Sequence, residues 1–357
     1  MSTVVTGSKQ ISMRPLIIAE RELPGKRAAA RPQEPHHEAL ATSHRPDLRG
    51  YLYLALMVVL GSTTSPIAMV AVRELPVGIV PLLRFGFAGL CLLPFLSDRG
   101  AVWRLLRQDL PLLALVAALC VPINQNFFLN SVRFGPNSHV GLFYAVAPLV
   151  VWVLAWMLGH EALDLRRLWG VLASIAGVAL IGLGNIWGGF AASAAEARSI
   201  MIADLLLVGA VLSWGAFLTL SKPLIVRHGA LPVLVGTFFV GCVLELPIAL
   251  LTVPEWPPMI AKASVMAWEC MAVLSLFITP VYLALQNLSL RRLDASQVAT
   301  FSNVSPVLTV LWGVWFFDEV LSPSLIAGGL LVLGGIFWTS KPGQMAARET
   351  GAGARND

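Results

Sequence analysis

One stretch of this sequence, Asn137 to Glu161, reads NSHVGLFYAVAPLVVWVLAWMLGHE and occurs a second time further along the chain. A shift of 158 positions without a gap lays it on Ala295 to Glu319, which reads ASQVATFSNVSPVLTVLWGVWFFDE. Prolines, glutamates and glycines seldom coincide when two apolar segments are aligned by chance. The chain therefore contains an internal duplication. The matched pairs are Pro122/Pro280, Pro148/Pro306, Glu161/Glu319, Gly170/Gly328 and Gly177/Gly335.

The composition is that of a membrane protein. Of the 357 residues, 57% are hydrophobic and only 13% are charged, against roughly 25% charged residues in soluble domains. The apolar residues are grouped in runs of about 20, which is the length that a helix needs to cross a hydrocarbon core of about 30 Å. The runs lack the alternation of a barrel strand, so the sequence predicts an all-α integral membrane protein.

Several classes of function are disfavoured by the sequence. The net charge is +5, but the basic residues lie between and outside the apolar runs, so nucleic acid is not a predicted partner. The four cysteines have no metal-ligand spacing and are interpreted as small core residues. No HExxH, GxSxG or P-loop motif is present, so neither an enzyme nor a cofactor or metal site is predicted.

The apolar runs predict ten transmembrane helices with short connections. They lie near residues 51–72, 77–96, 110–130, 138–159, 167–187, 202–222, 232–252, 265–288, 295–317 and 322–340. The duplication groups them into two five-helix repeats, 51–187 and 202–340, joined by a linker at 188–201. Residues 1–50, which are basic and rich in proline, are predicted to be a disordered cytoplasmic tail, and residues 341–357 a second cytoplasmic tail.

The distribution of Lys and Arg predicts the orientation. With a cytoplasmic N-terminus, the inner loops carry nine of these residues and the outer loops carry four, as the positive-inside rule requires. Each repeat has an odd number of spans, so the second repeat enters the membrane from the opposite side. The result is a pair of inverted repeats, an arrangement typical of transporters that open a central cavity to each side in turn.

The paired prolines are candidate bending points. Pro122, Pro148, Pro280 and Pro306 each remove a backbone donor inside a predicted span, and the freed carbonyl is tolerated where it faces protein or a wet cavity. A packing kink without substrate contact is the alternative for each proline. The four glycines at paired positions are interpreted as scaffold or dimer contacts, because small residues let helices approach closely.

Arg84 is the one basic residue well inside a predicted span. A charge at that depth costs at least ~2.5 kcal/mol, so Arg84 is expected to face the protein interior. It is a candidate for binding an anionic substrate group. The alternatives are a side chain that reaches the membrane interface or one that neutralises a structural acid.

Further polar residues within the spans are candidates for lining a substrate cavity. Asn124 and Asn126 lie in span 3, and Tyr282 and Gln286 lie in span 8, which is its repeat partner. Amides in both repeats suit a polar substrate, although isolated amides also join helices. Three more candidates lie close to the prolines or at a similar place in the second half: Tyr144, Trp214 and Asn303.

Three titratable residues are candidates for proton coupling. Glu245 and Glu269 are the acids nearest a span interior, and His139 opens span 4. Carboxyl and imidazole groups can relay protons across a membrane. Placement at the membrane interface is the alternative for both glutamates.

The order of these features resembles the EamA type of the drug/metabolite transporter superfamily over about residues 51–340. Three features carry the resemblance. The first is Arg84 followed by Gly89. The others are the run Phe143 to Pro148 with Glu161 thirteen residues after the proline, and its copy Phe301 to Pro306 with Glu319 at the same distance. One departure is the residue before each glutamate, usually Gly in the family, which is His160 in one half and Asp318 in the other. The inverted arrangement places Glu161 and Glu319 at opposite membrane surfaces, as structural residues at helix ends.

The resemblance implies secondary active transport in the cell inner membrane by alternating access. We therefore expect a transporter of a small polar metabolite, amino acid or drug, acting as an exporter, with protons as a candidate coupling ion. An importer of a small solute and a non-transporting membrane receptor or scaffold are the alternatives. The expected partners are a small-molecule substrate and the lipid bilayer, and both a monomer and a homodimer fit the sequence.

Overall fold

The structure is a computed structural model of the chain. It describes residues 48–98, 100–159, 163–187, 193–252, 256–290, 292–293, 298, 301–302 and 304–340. Within these ranges the regular secondary structure is helical, which confirms the prediction made from the continuous apolar runs. Glu161, Asn303, nearly all of the predicted N-terminal tail and the predicted C-terminal tail lie outside the described residues.

The elements of the first half follow the predicted spans, several of them in two pieces. They are α1 (Leu48–Ser62), α2 (Thr64–Glu74), α3 (Ile79–Leu92), α4 (Ala101–Ala118), α5 (Asn124–Phe134), α6 (Asn137–Tyr144), α7 (Ala147–Met157) and α8 (Leu165–Trp187). Those of the second half are α9 (Ala194–His228), α10 (Ala230–Thr252), α11 (Trp256–Lys262), α12 (Val265–Ala272), α13 (Thr279–Leu290), α14 (Val304–Phe317) and α15 (Pro323–Ser340).

Seven helical runs in the described ranges are long and apolar enough to cross a membrane. Three shorter apolar helices, Ile79–Phe95, Val304–Phe317 and Pro323–Thr339, lie at the positions of three further predicted spans. α4 begins at Ala101 but is kinked at Asp109, whose backbone is not helical, next to the predicted start of span 3 near residue 110. α9 begins in the predicted linker, at Ala194, and ends at His228, beyond the predicted end at residue 222. α11 lies between two predicted spans.

The prolines in repeat register lie at irregular points of the helices. Pro122 is inside a π-helical turn, Leu119–Ile123, between α4 and α5. A second π-helical turn, Val273–Ile278, ends two residues before Pro280. Because proline cannot donate the backbone hydrogen bond of a regular helix, the chain widens at both places.

Pro148 lies near a helix beginning. It is the second residue of α7, directly after the break that separates α7 from α6. Proline is well tolerated in the first turn of a helix, where its missing N–H would have no intrahelical partner. Pro306 is buried in α14, three residues after position 303, which lies outside the described residues. The positions of Pro122, Pro148 and Pro280 are thus compatible with the predicted bends.

The glycines in repeat register contact one another within the chain. A Cβ atom built on Gly170 would lie 2.7 Å from the carbonyl oxygen of Gly335, and one built on Gly177 would lie 2.5 Å from that of Gly328. The order of these contacts shows that α8 and α15 run antiparallel. The two helices approach so closely that a side chain at these positions would collide with backbone. Of the two predicted roles, the described contacts support that of an internal scaffold.

α3 and α10 also pack antiparallel. A Cβ atom built on Gly89 would lie 3.3 Å from the ring of Phe239, whereas one built on Gly78, at the other end of α3, would lie 3.2 Å from the backbone of Ala249. The two helices therefore follow each other along their length. This contact fixes the relative depth of the charged residues that they carry.

Candidate functional site

Arg84 lies on the buried face of α3, with 8% of its surface exposed. Its Nε donates to Thr279 Oγ1 at 3.2 Å, and its Nη1 donates to Gln125 Oε1 at 3.3 Å. Both acceptors are neutral. In the described part of the chain, no carboxylate oxygen lies within 4.0 Å of the guanidinium. Arg84 is thus a buried cation held by neutral groups, with its charge balanced by none of the side chains that contact it.

The hydrogen bonds of Arg84 continue into a network of amides. Gln125 Nε2 donates to Asn124 Oδ1 at 2.8 Å. Asn124 Nδ2 lies 2.7 Å from the carbonyl oxygen of Ala210 and 3.1 Å from the hydroxyl of Tyr144. The network connects α3, α5, α6 and α9, and Arg84 extends it to α13. Such a network orients each polar group and keeps it satisfied inside the protein.

The structure brings together three of the predicted substrate-binding residues in this network: Arg84, Asn124 and Tyr144. Gln125 and Thr279 also belong to it and are absent from the predicted set. Gln125 had a signal, because it stands between two predicted amides. Nothing in the sequence indicated Thr279, because a single threonine in an apolar span usually bonds to the helix backbone. In the structure its hydroxyl does donate to the carbonyl oxygen of Leu274 at 2.8 Å.

Asn126, the next residue of α5, faces a different neighbour. Its Nδ2 lies 3.0 Å from each carboxylate oxygen of Glu245 on α10 and 2.8 Å from the carbonyl oxygen of Pro122. Glu245 is completely buried, although Val243 on the same helix is 70% exposed. Within the described ranges, no basic nitrogen lies within 4.0 Å of the Glu245 carboxylate. It is a second buried ionisable group held by a neutral amide.

Arg84 and Glu245 lie at similar depths on neighbouring helices. A Cβ atom built on Gly86 of α3 would lie 4.0 Å from Cys242 Sγ of α10. Arg84 lies two residues before Gly86 on α3, and Glu245 lies three residues after Cys242 on α10. Because the two helices are antiparallel, both residues are displaced from this contact in the same direction, Arg84 by about 3 Å and Glu245 by about 4.5 Å. Gln125 and Asn126, which are consecutive on α5, therefore bind Arg84 and Glu245 at similar depth, and the two ionisable groups form no ion pair with each other.

The two groups offer complementary charges. A guanidinium donates two parallel hydrogen bonds to a carboxylate, whereas a carboxylate accepts from an ammonium group or takes up a proton. Each group already has a neutral hydrogen-bond partner that keeps it in place in the absence of a ligand. These residues are therefore suited to recognise a charged solute and to compensate its charge.

His139 forms a separate buried pair. Its Nδ1 lies 2.6 Å from Asp204 Oδ1 of α9, and both residues are buried. The second carboxylate oxygen of Asp204 has no hydrogen-bond partner in the described part of the chain. Asp204 is absent from the predicted site residues. An aspartate inside an apolar run is itself a functional signal, because carboxylates are rare at that depth.

The remaining predicted site residues lie elsewhere. Trp214 of α9 is half-buried and packs beside Phe217 at 5.0 Å between ring centroids. Tyr282 of α13 packs against α1, where a Cβ atom on Gly61 would lie 3.0 Å from its ring. Gln286 is half-buried on α13, whereas Glu269 is exposed on α12. No described hydrogen bond joins these four residues to the Arg84 network.

Glu319 binds the beginning of α6. Its Oε1 accepts from the backbone N–H of Asn137 at 2.5 Å, and its Oε2 accepts from that of Ser138 at 2.8 Å. A carboxylate satisfies the unpaired amides of a helix N-terminus and interacts favourably with the helix dipole. This is the structural role at a helix end that the sequence predicts for Glu319.

The sequence is similar to a known protein family and to individual proteins. The EamA-like transporter family matches residues 48–183 and 201–341. The uncharacterized transporter YetK of Bacillus subtilis (strain 168) is 23% identical over 81% of this chain and 86% of its own length. A protein of Streptantibioticus cattleyicolor named as a probable terminal-alkyne amino-acid exporter is 27% identical over 79% of this chain and 90% of its own length.

A solved structure shares the fold. It is described as "Crystal structure of protein", aligns with a TM-score of 0.55 at 20% identity, and covers 81% of this chain and 96% of the matched chain. At this identity the likeness concerns the fold alone.

Proposed function

Because the chain belongs to the EamA-like transporter family, we propose that it is a secondary transporter that carries a small carboxylate-bearing solute across the inner membrane by alternating access. The observation that carries this proposal is the buried guanidinium of Arg84, which hydrogen-bonds only to neutral side chains in the described part of the chain. A solute carboxylate would complete its charge balance. Asn124, Gln125, Tyr144 and Thr279 would then orient the solute.

An amino acid fits the site best among small solutes. Arg84 would bind its carboxylate, and Glu245, near the same depth, would attract its ammonium group. The relative named as a probable amino-acid exporter supports both this substrate class and the direction of export.

Alternating access rests on the proposed arrangement of ten helices as two inverted repeats, 51–187 and 202–340, with a linker at 188–201 and both termini cytoplasmic. The contacts of the paired glycines support it. The shift of 158 positions pairs Gly170 with Gly328 and Gly177 with Gly335. Replacing each residue of the Gly170–Gly335 contact by its repeat partner gives Gly328–Gly177, which is also a contact, as a twofold relation between the halves requires. Pro122, Pro148, Pro280 and Pro306 are the proposed bending points.

Flux measurements on purified protein in proteoliposomes test the function. The panel contains amino acids, purines, sugars and cationic drugs, and each amino acid is paired with the amine that lacks its carboxylate. We expect exchange of one or more amino acids and none of the matched amines. A variant lacking residues 1–45 is expected to keep the flux. Absence of flux for the whole panel would instead support a receptor or scaffold.

Proton coupling is proposed at Glu245. Burying an ionised carboxylate without a cation costs several kcal/mol, and either a proton or a solute ammonium group removes this cost. The two would therefore compete for Glu245, which would link export of the solute to entry of a proton. Glu269 is exposed and His139 is already paired with Asp204, so these two candidates have weaker support.

The Glu245→Gln variant tests this coupling, and Glu269→Gln is the matched control. Glutamine keeps the size and the hydrogen bond to Asn126 but cannot titrate. We expect Glu245→Gln to lose the acceleration of flux by a pH gradient while some solute exchange remains, whereas Glu269→Gln behaves like the wild type. Wild-type flux that ignores a pH gradient would rule the coupling out.

A further inference from the structure

A cavity of about 370 Å³ lies next to the buried acid but outside the Arg84 network. Its wall includes Asn126, Asn130 and Arg133 of α5, Thr252 at the end of α10 and Met259 of α11. Its volume lies within the range of small-molecule sites. Arg133, Thr252 and Met259 of its wall are exposed and lie at or beside loops that the Lys and Arg distribution predicts to be outside.

The three α5 residues form a polar stripe on one helix face. Asn126, Asn130 and Arg133 are spaced four and three residues apart, so their side chains follow one another along the helix over about 10 Å. Exposure increases along the stripe, because the two asparagines are half-buried and Arg133 is exposed. At its inner end Asn126 holds the completely buried Glu245. The stripe therefore leads from the membrane surface to the buried acid.

The stripe presents the Arg133 guanidinium at its exposed end and the side-chain oxygens of Asn126 and Asn130 deeper in the cavity. In the described part of the chain, no carboxylate lies within 4.0 Å of the Arg133 guanidinium. The described hydrogen bonds of Asn126 and Asn130 use their Nδ2 atoms, which leaves their Oδ1 atoms as acceptors. The nearby carboxylate of Glu74 is engaged by the backbone N–H and hydroxyl of Ser264.

We propose that this cavity is a vestibular subsite for a small solute that bears a carboxylate and N–H donors. Arg133 attracts the carboxylate at the mouth, and the side-chain oxygens of Asn126 and Asn130 accept from the donors further in. The passage of the solute between this subsite and Arg84 rests on the proposed transport function. The preference of the cavity for anions is a property of the cavity alone and is tested separately.

Thiol labelling measures this preference without a known substrate. Asn130→Cys and Thr252→Cys are introduced separately into a chain whose four natural cysteines are replaced by alanine, and Ser131→Cys, one residue further along α5 and buried, is the matched control. The probes are an anionic (ethylsulfonate) and a cationic (ethyltrimethylammonium) methanethiosulfonate reagent of similar size. Reaction rates are measured in oriented vesicles at low ionic strength, where screening is weak.

We expect Asn130→Cys and Thr252→Cys to react and Ser131→Cys to stay unmodified. Adding Arg133→Gln should lower the ratio of anionic to cationic labelling rates by about fivefold, as removal of a unit charge several ångströms away predicts. The same decrease is expected when salt is added to the parent variant. 2-Mercaptoethanol, an uncharged thiol in free solution, is the reference for the intrinsic rates of the two reagents.

Two outcomes would overturn the subsite: failure of both thiols to react, or a rate ratio that Arg133→Gln leaves unchanged. The transport function fails by a different result, namely absence of solute flux in the wild-type protein. If flux is present, Arg133→Gln should raise the solute concentration that gives half-maximal flux by about threefold and leave the maximal flux unchanged. An unchanged half-maximal concentration would contradict delivery of the solute through this cavity.

Discussion

At the scale of single residues, the turn that follows α14 explains one departure from the family pattern. Asp318 has a φ of +52°, a left-handed conformation that glycine adopts without steric cost. The turn carries the chain to Glu319, which binds the first amides of α6. The family's usual glycine before this glutamate is therefore a conformational requirement, which Asp318 meets with some strain.

The Asp318→Gly variant is expected to be more stable than the wild type by about 0.5–1 kcal/mol, because it removes the left-handed strain of a residue with a Cβ atom. Gly159 has a φ of +73°, and no atom of the described residues lies within 4 Å of its Cβ position. It offers the opposite control, and Gly159→Ala should destabilise by a similar amount. Thermal unfolding in detergent measures both. A lower unfolding temperature for Asp318→Gly would contradict the strain.

Several site residues could be predicted from the sequence because charge and amides are rare inside apolar runs. Arg84 and Asn124 were found in this way and Tyr144 by its place close to Pro148, and the structure brings the three into one network. Asp204 was missed as a partner of His139, since the two residues are 65 positions apart and only the packing of α6 on α9 joins them. Partnership between distant residues cannot be read from local spacing.

At the scale of the elements, the crossing of α8 and α15 sets the distance between two helices of different halves. Gly335 is buried, and a Cβ atom on it would lie 2.6 Å from the carbonyl oxygen of Gly170 and 2.7 Å from Ser174 Oγ. In the described part of the chain, no atom lies within 4 Å of the Cβ position of its neighbour Gly334. These adjacent glycines differ only in the face of α15 on which they lie.

Substitution by alanine separates the two faces. We expect Gly335→Ala to destabilise the protein by about 1–3 kcal/mol, because the helices must separate to admit a methyl group. Gly334→Ala should be neutral or slightly stabilising, since alanine is the better helix former. Unfolding of both variants in detergent measures the difference. Equal stabilities would show that the close crossing is absent.

The positions of the helices followed from the sequence more closely than their ends and internal breaks. Each described apolar helix overlaps a predicted span, because hydrocarbon thickness fixes the length of an apolar run. The prolines predicted irregularities, but not their form. Whether a helix with proline widens into a π-helical turn, as near Pro122 and Pro280, or breaks, as before Pro148, depends on packing from other elements.

At the scale of the whole molecule, membership of a membrane transporter family was accessible from composition and from the duplication at 158 residues. The closeness of Arg84 and Glu245 in depth was not accessible, because it depends on the antiparallel contact of α3 with α10. Two buried charges that hydrogen-bond to neutral amides rather than to each other are unfavourable for stability alone. The proposed binding of a charged solute would offset this cost.

The central claim is that Arg84 binds the carboxylate of the transported solute. Its most direct test is the initial rate of solute exchange in proteoliposomes for Arg84→Gln, with Arg107→Gln, a change at an arginine that stacks on Trp103, as the control. We predict that Arg84→Gln lowers the rate at least about tenfold, as loss of a buried charged hydrogen bond implies, and that Arg107→Gln does not. Wild-type exchange by a folded, inserted Arg84→Gln protein would contradict the claim.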